Sequence, residues 1–286
     1  MKKTLLTLAL AAITFAGAAN AGAQASAQTA PADVQAVDLG LPSGLKWASC
    51  NVGATTPEGY GDFFAWGETA TKEDFLWENY KHAKGDYDKL TKYCNHDRFG
   101  DNEFTDNKTV LEPEDDAAHV NWGGSWRMPT DAEWKELQEN CTWTWTTQNG
   151  VDGHLVASKT NSNAIFLPAA GWRKGTDHYL AGTDGYYWSS SLDEGNYPTC
   201  ALRINFSRSS VNRDYGDRIF GLTVRPVQAS GTGTGIGDTA ADVVATDAHK
   251  IIRNGQVLIE RGGKTYTIMG QELTNDSPNP LREGAQ

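Results

Sequence analysis

GGSWRMPTDAEWKEL, Gly123 to Leu137, is the stretch on which the reading of this chain turns. Thr130 and Glu133 stand at capping-box spacing, where each side chain accepts a hydrogen bond from the other residue's backbone N–H. Pro129 disfavours helical geometry at Met128, so the helix cannot begin earlier. Trp134, Leu137 and Cys141 then recur at helical spacing on one face. Read this way, the acids of TDAEW are caps and a solvated face, because caps require these residue types. The stretch is scaffold, with Thr130, Glu133 and Trp134 in structural roles.

One other helix is expected nearby. Pro113 suits a first turn, with Glu114, Asp115 and Asp116 favourably near the N-terminus, and the helix would run to about Trp122. Beyond Cys141 the pattern turns to strands. AIFLPAAG (Ala164 to Gly171), YYWSSS (Tyr186 to Ser191), CALRINF (Cys200 to Phe206) and FGLTVRPV (Phe220 to Val227) are separated by Gly, Asp and Asn. In CALRINF, Leu202, Ile204 and Phe206 would face inward while Arg203 and Asn205 face out. Pro226 is expected to end the last strand. The fold class is α+β: two helices, small antiparallel sheets and long loops.

All ten tryptophans lie between Trp47 and Trp188, inside a main domain that spans 37–228. Met1 to Ala21 reads as a secretory signal, with Lys2 and Lys3 before an apolar run and Ala19-Asn20-Ala21 as a cleavage site. A second candidate cut follows Ala27. Residues 22–36 are expected to be a flexible spacer, and no later run approaches the ~20 apolar residues of a membrane span. SGTGTGIGDTAAD, Ser230 to Asp242, marks a linker over 229–249. The segment 250–273 then reads as three short strands, punctuated by Asn254-Gly255 and Gly262-Gly263. Alternation shows in Val257 and Ile259 and in Tyr266 and Ile268. Three such strands alone are marginally stable, so this is an appendage. Residues 274–286 are expected to be disordered. Asp238-Thr239-Ala240 resembles an O-glycosylation signal of exported Bacteroidetes proteins, and the 250–273 segment resembles their C-terminal sorting segments.

The formal charge is −11, or −13 once Lys2 and Lys3 leave with the signal, which suits neither nucleic acid nor an anionic membrane as partner. Cys50, Cys94, Cys141 and Cys200 permit two disulfides in three connectivities, or four buried thiols. None forms a CxxC pair, so neither a zinc ribbon nor a redox motif is suggested.

The order EDDAAHVNW, WRMPTDAEWKEL, FLPAAGWR, YYWSSS, FGLTVRPV resembles a C-type-lectin-like fold, and within it the formylglycine-generating, sulfatase-modifying branch. VDLGLPSGLKWASCNVGA (Val37 to Ala54) and YGDFFAWGE (Tyr60 to Glu68) bring the chain closer to the Fibrobacter succinogenes major paralogous domain family, over about Val37 to Val227. The resemblance places the opening stretch where the second helix packs on a sheet.

The formylglycine-generating enzymes need two thiols that hold metal or react in turn. Here Cys200 occupies the first position of the pattern but Asn205 the second, and Val224-Arg225-Pro226 offers no thiol. That activity is therefore not expected. The six histidines show no HExxH or other metal spacing, and no GxSxG elbow is present. Calcium-dependent lectins use Glu-Pro-Asn and Trp-Asn-Asp motifs, of which Glu112-Pro113-Glu114 is a partial echo before the first helix. Asp97, Asp101 and Asp106 lie in an oxygen-rich loop and are the calcium candidates, although EF-hand spacing is absent and a solvated loop is expected.

What remains is a polar and aromatic face in the last third. Trp172, Arg173, Tyr179, Asn196, Tyr197, Arg203, Asn205, Arg208, Asn212, Arg213 and Tyr215 are the candidate ligand-binding residues. Tyr, Asn and Arg suit adaptable recognition, because rigid aromatics give area at low entropic cost. In C-type-lectin-like folds this region is the ligand face, and it also resembles the variable segment of retroelement-diversified receptors. For Tyr186, Tyr187 and Trp188, core packing stands beside that reading. The expectation is an exported, non-enzymatic module that binds a glycan or surface protein. Two alternatives stand: a structural component joined through the C-terminal strands, or a degenerate cysteine oxidase.

Overall fold

A computed structural model describes residues 29–195 and 197–229, together with the strands of a separate C-terminal unit. The first unit is mixed and mostly β. It begins with β1 (Ala36–Asp38) and β2 (Lys46–Ala48), then runs through loops with single 3-10 turns to α1 (Ala117–Trp122) and α2 (Asp131–Asn140). The strands that follow are β3 (Cys141–Gln148), β4 (Val151–Ser158), β5 (Ala164–Pro168), β6 (Trp172–Lys174), β7 (Asp177–Tyr179), β8 (Gly185–Leu192), β9 (Cys200–Phe206), β10 (Val211–Asp217) and β11 (Val227–Gln228). They assemble into four small sheets with orders β1-β2-β11, β3-β4-β5, β6-β7 and β10-β9-β8, in which every ladder is antiparallel.

The capping box at the head of α2 is present, with Thr130 Oγ1 accepting from Glu133 N and a Glu133 carboxylate oxygen accepting from Thr130 N at 2.8 Å. Arg127 adds a second anchor, its guanidinium donating to both Glu133 oxygens at 2.8 and 2.5 Å. Trp134 and Leu137 are fully buried. The Trp134 ring lies 4.6 Å from that of Trp47 and 5.9 Å from that of Tyr187, and its indole N–H donates to Trp188 O at 3.2 Å. One side chain thus joins α2 to β2 and β8, which are distant in sequence.

Arg225 plays a comparable part without any helix. Its guanidinium is fully buried and donates to Asn51 Oδ1 at 2.7 Å, Ala48 O at 3.0 Å and Phe166 O at 2.9 Å. Directed carbonyl and amide oxygens replace the water that a buried cation loses. The residue ties the β2 region to β5.

Several sequence expectations need correction. The helix expected from Pro113 is broken in two, with a 3-10 turn at Pro113–Asp115 and α1 beginning only after Asp116. Asp116 is extended because its carboxylate caps Ala118 N and His119 N and also accepts from Met128 N, a partner outside the helix. The flexible spacer expected over 22–36 does not hold for its described part, 29–36, and its residues 22–28 lie outside the described residues. Ala30 N bonds to Trp122 O, Ala30 and Val34 pack on the core, and Ala36 already opens β1.

FGLTVRPV is not one strand. Gly221, Leu222 and Thr223 make isolated bridges to Arg173, Phe64 and Tyr187 in turn, and pairing resumes after Pro226, with Val227 opposite Trp47. Leu202 of CALRINF is half-buried, whereas Ile204 and Phe206 are in the core. The four cysteines form no disulfide. All are buried thiols, with Cys50, Cys94 and Cys141 in three separate apolar clusters.

The C-terminal unit contains β12 (His249–Arg253), β13 (Gln256–Arg261), β14 (Lys264–Thr267) and β15 (Glu272–Leu273) in sequential antiparallel order. It has one strand more than expected, and His249 belongs to β12, not to the linker. The signal at 1–21, the cut after Ala27, the linker from Ser230 with Asp238-Thr239-Ala240, the turns at 254–255 and 262–263, Ile268 and the tail 274–286 lie outside the described residues. Among the described residues no helix is long and apolar enough to cross a membrane.

Candidate functional site

Residues directly opposite in an antiparallel ladder share a face, so register alone sorts the last third. Tyr186, Asn205 and Asn212 stand in one row across β8, β9 and β10, and Trp188, Arg203 and Asp214 in the next row of the same face. The opposite face carries Gly185, Phe206 and Val211, then Tyr187, Ile204 and Arg213, then Leu202 and Tyr215. Phe206, Ile204 and Tyr187 belong to the core cluster that holds Trp134, so this second face turns inward.

The first face carries an ion pair, Arg203 Nε to Asp214 Oδ1 at 2.8 Å, with the guanidinium 5.0 Å from the Tyr186 ring centroid. Room for it comes from Gly216, where an added Cβ would stand 2.7 Å from Arg203 Nη1. Trp188 is fully buried and donates to Phe64 O at 2.8 Å, so the row ends in the core.

The β6–β7 hairpin extends this face. Trp172 pairs with Tyr179 in the ladder, and their rings stack at 4.7 Å and 23°. The Trp172 ring lies 6.3 Å from Tyr186 and 4.8 Å from Phe220. Gly171 allows the hairpin to fold back, since a Cβ there would meet Tyr179 O at 2.1 Å and its φ is +70°. The result is a continuous band, Tyr179–Trp172–Tyr186–Arg203–Asp214, flanked by Asn205 and Asn212. Tyr179 and Asn212 are exposed and the rest of the named band is partly open. Burial, helped by Asp184, raises the Tyr186 phenol above its usual range, and the hydrogen bond to Asp177 raises that of Tyr179. Both stay protonated donors.

The other candidate residues lie elsewhere. Arg173 points from the reverse side of the hairpin, its guanidinium 5.0 Å from the Phe63 ring, with His178 packed on the same ring. Tyr197 and Tyr215, 54% and 50% exposed, stack on each other at 6.0 Å. Arg213 is engaged in an ion pair with Asp131 at the start of α2. Arg208 lies over Trp145 at 5.6 Å. Asn196 lies outside the described residues. The eleven candidates therefore divide among several surfaces, and the band was incomplete in sequence without Tyr186 and Asp214. The signal that finds Asp214 is its place across from Arg203, which is visible only once the register is known.

The calcium candidates do not converge. Asp106 accepts from Tyr93 N and Cys94 N, each at 2.8 Å, Asp101 is paired with Lys84, and Asp97 accepts from Arg98 N at 2.7 Å. The carboxylates that do meet are Glu112, Glu114 and Asp115, whose oxygens lie within 4.8 Å of one another. An ammonium occupies their centre: Lys92 Nζ is 2.6 Å from Glu112, 3.2 Å from Glu114 and 2.6 Å from Asp115. Burial pushes Asp115 up, but hydrogen bonds from Lys81, Lys92 and Tyr93 outweigh it and hold the carboxyl at about 2. Lys108 and Lys92 hold Glu112 at about 2 as well. Three lysines neutralise this cluster from within.

Burial raises all four thiols, Cys141 and Cys200 to about 11. A nucleophilic or metal-ligating cysteine needs the thiolate, which these environments disfavour.

A family model described as "Domain of unknown function (DUF8237)" matches residues 143–227. Comparison with curated proteins gave no match, and neither did comparison with solved structures. The matched segment contains the whole band, from Trp172 to Asp214, and the strand β3 from Trp143 onward, so this chain is similar to that family over the β-rich residues 143–227.

Proposed function

We propose that the chain is an exported, non-enzymatic binding module of C-type-lectin-like fold, related to the Fibrobacter succinogenes major paralogous domains, and that its ligand is a glycan. One observation carries this reading: three aromatic rings, Tyr179, Trp172 and Tyr186, run continuously into a row of Arg203, Asp214, Asn205 and Asn212 on a single face. Sugars present apolar C–H faces beside a rim of hydroxyls. Half-open rings take the first at low entropic cost, while amide, guanidinium and carboxylate groups alternate donors and acceptors for the second. The Arg203–Asp214 pair is pre-formed, so ordering it adds little to the cost of binding.

The protonated thiols support a non-catalytic role, since oxidase chemistry of the related enzymes runs through thiolates. The lysine-filled acidic cluster supports a calcium-independent one.

A glycan array, followed by calorimetry on the hits with and without a calcium chelator, tests this proposal. Binding that is unaffected by chelator and weakened in Trp172→Ala is expected. Absence of any glycan hit, with a protein captured through the same face, would replace the sugar by a protein ligand. Turnover of a sulfatase peptide in the presence of copper would overturn the non-enzymatic reading.

A further inference from the structure

The edge of a sheet is a row of unpaired N–H and C=O groups, and folded chains cover it or guard it with charge, proline or bulges. The edges in this protein are treated unequally. On the open side of β5, Phe166 O accepts from Arg225 and Pro168 O accepts from the Tyr187 hydroxyl at 2.9 Å. On β8, Trp188 N and Ser190 N bond to Thr223 O and Pro129 O. The edge strand β10, VNRDYGD, is guarded by Arg213, Asp214 and Asp217, and Val211 O accepts from Gln138 Nε2 at 2.9 Å.

β3 has none of these devices. It is the outer strand of β3-β4-β5, and its eight residues, CTWTWTTQ, contain no charge, no proline and no glycine. Its register with β4 is continuous from Cys141 to Gln148, without a bulge. Among the described residues, no hydrogen bond leads from the backbone of Thr142 to Gln148 to anything beyond β4. Thr and Trp are strong strand formers, so the strand persists to an edge that no charge, proline or bulge of its own guards. In a chain with 36 acidic and 25 basic residues, a neutral edge of this length is a place where two copies can approach without repulsion.

We propose that β3 is the interface of a homodimer, in which two copies of the strand pair antiparallel about a two-fold axis through Thr144. The sequence of the strand selects a second copy as its occupant. Centred on Thr144, the pairing sets Thr142 against the partner's Thr146 and Trp143 against the partner's Trp145. Threonine thus meets threonine on the exposed face, and tryptophan meets tryptophan on the inner one, both favourable cross-strand combinations. A slip of one residue sets every Trp opposite a Thr, and a slip of two breaks one Trp–Trp match, so the centred register is the best satisfied. Trp143 and Trp145 are half-buried in the single chain, with Arg208 over one face of the Trp145 ring, which leaves the outer ring edges for the partner to cover. An isologous pairing of this kind closes on itself and leaves no free β3 edge.

Sedimentation equilibrium of the full chain is expected to give a dimer. Thr144→Lys apposes two ammonium groups on the axis and is expected to raise the dimer Kd up to ~5-fold, because like charges directly opposite are destabilising. Thr144 is exposed, so the thermal unfolding of this variant at low concentration should match that of the parent. A second pair of variants fixes the register. Thr144→Cys adds an accessible thiol beside four buried ones and is expected to cross-link on mild oxidation. Thr142→Cys is not, because its two copies lie four residues apart along the strands, roughly 13 Å. A chain that stays monomeric at all concentrations, a dimer indifferent to Thr144→Lys, or equal cross-linking of the two cysteine variants would overturn the proposal.

Discussion

The head of α2 and the outer face of β8–β10 have similar compositions and opposite uses. Around α2, Thr130, Glu133, Arg127 and Asp131 are all engaged inside the molecule, with Asp131 paired to Arg213 of β10. On the outer face, Asn212 and Tyr179 remain exposed and the Arg203–Asp214 pair is partly open to solvent. The difference teaches that polar residues near tryptophans do not identify a site by type. What matters is whether their hydrogen-bonding capacity is already consumed within the fold.

Truncating the scaffold should break the comparison most strongly. Trp134→Ala removes a fully buried ring that touches Trp47 and Tyr187, at an expected cost of ~3–5 kcal/mol. Denaturant unfolding measures it, and surviving folded protein should keep its ligand preference. A change of preference without loss of stability would place α2 in the site.

Acidification probes the internally neutralised cluster, which stands at the same pole of the comparison. Asp115 and Glu112 are held at about 2, below their unfolded range near 4. Their pairing therefore stabilises fully above about pH 4, and that contribution is lost as pH falls towards 2. Melting temperature measured between pH 7 and 2 should be steady with respect to these groups down to about 4 and then drop. A curve without the drop would show the cluster to be energetically idle.

At the other pole, Trp172→Ala removes a half-buried ring at the margin of the core, so it should cost less stability than Trp134→Ala yet weaken glycan binding ~10- to 100-fold, the range of an aromatic hot spot. Calorimetry beside thermal melting separates the two effects. An equal loss in both would make the band a packing feature. The smallest effect is expected of Thr130→Ala, where a lost cap costs ~1 kcal/mol. A shift in melting temperature with unchanged binding is the expected result, and the reverse pattern would turn scaffold into site.

The parts of the fold legible in sequence are those set by near neighbours. The capping box at Thr130 depends on a residue three positions away, and Pro129 fixes where the helix starts. The period-2 burial of Ile204 and Phe206 follows from the strand itself. A further local signal is Asn149-Gly150, both with positive φ, which joins β3 to β4 and is the strongest short-range hairpin marker a sequence offers. The largest departures from expectation involve distant partners, and the choice between disulfides and buried thiols was likewise settled at long range. Met128 N draws Asp116 out of the expected helix, three separate elements claim Gly221, Leu222 and Thr223, and the cysteines occupy different clusters.

The amino-acid sequence alone determined the α2 start, the inward turn of Ile204 and Phe206, the acidic balance and the aromatic, polar character of residues 172–215. Each is a property of composition or of contacts within a few residues, where chain connectivity already brings the groups together. Only the tertiary structure decided that Asp214 faces Arg203, that Lys92 fills the acidic cluster, that Arg213 serves α2, and that β3 lies at an open edge. Those outcomes depend on register and sheet order, which are set by the burial of the whole core and not by any short segment.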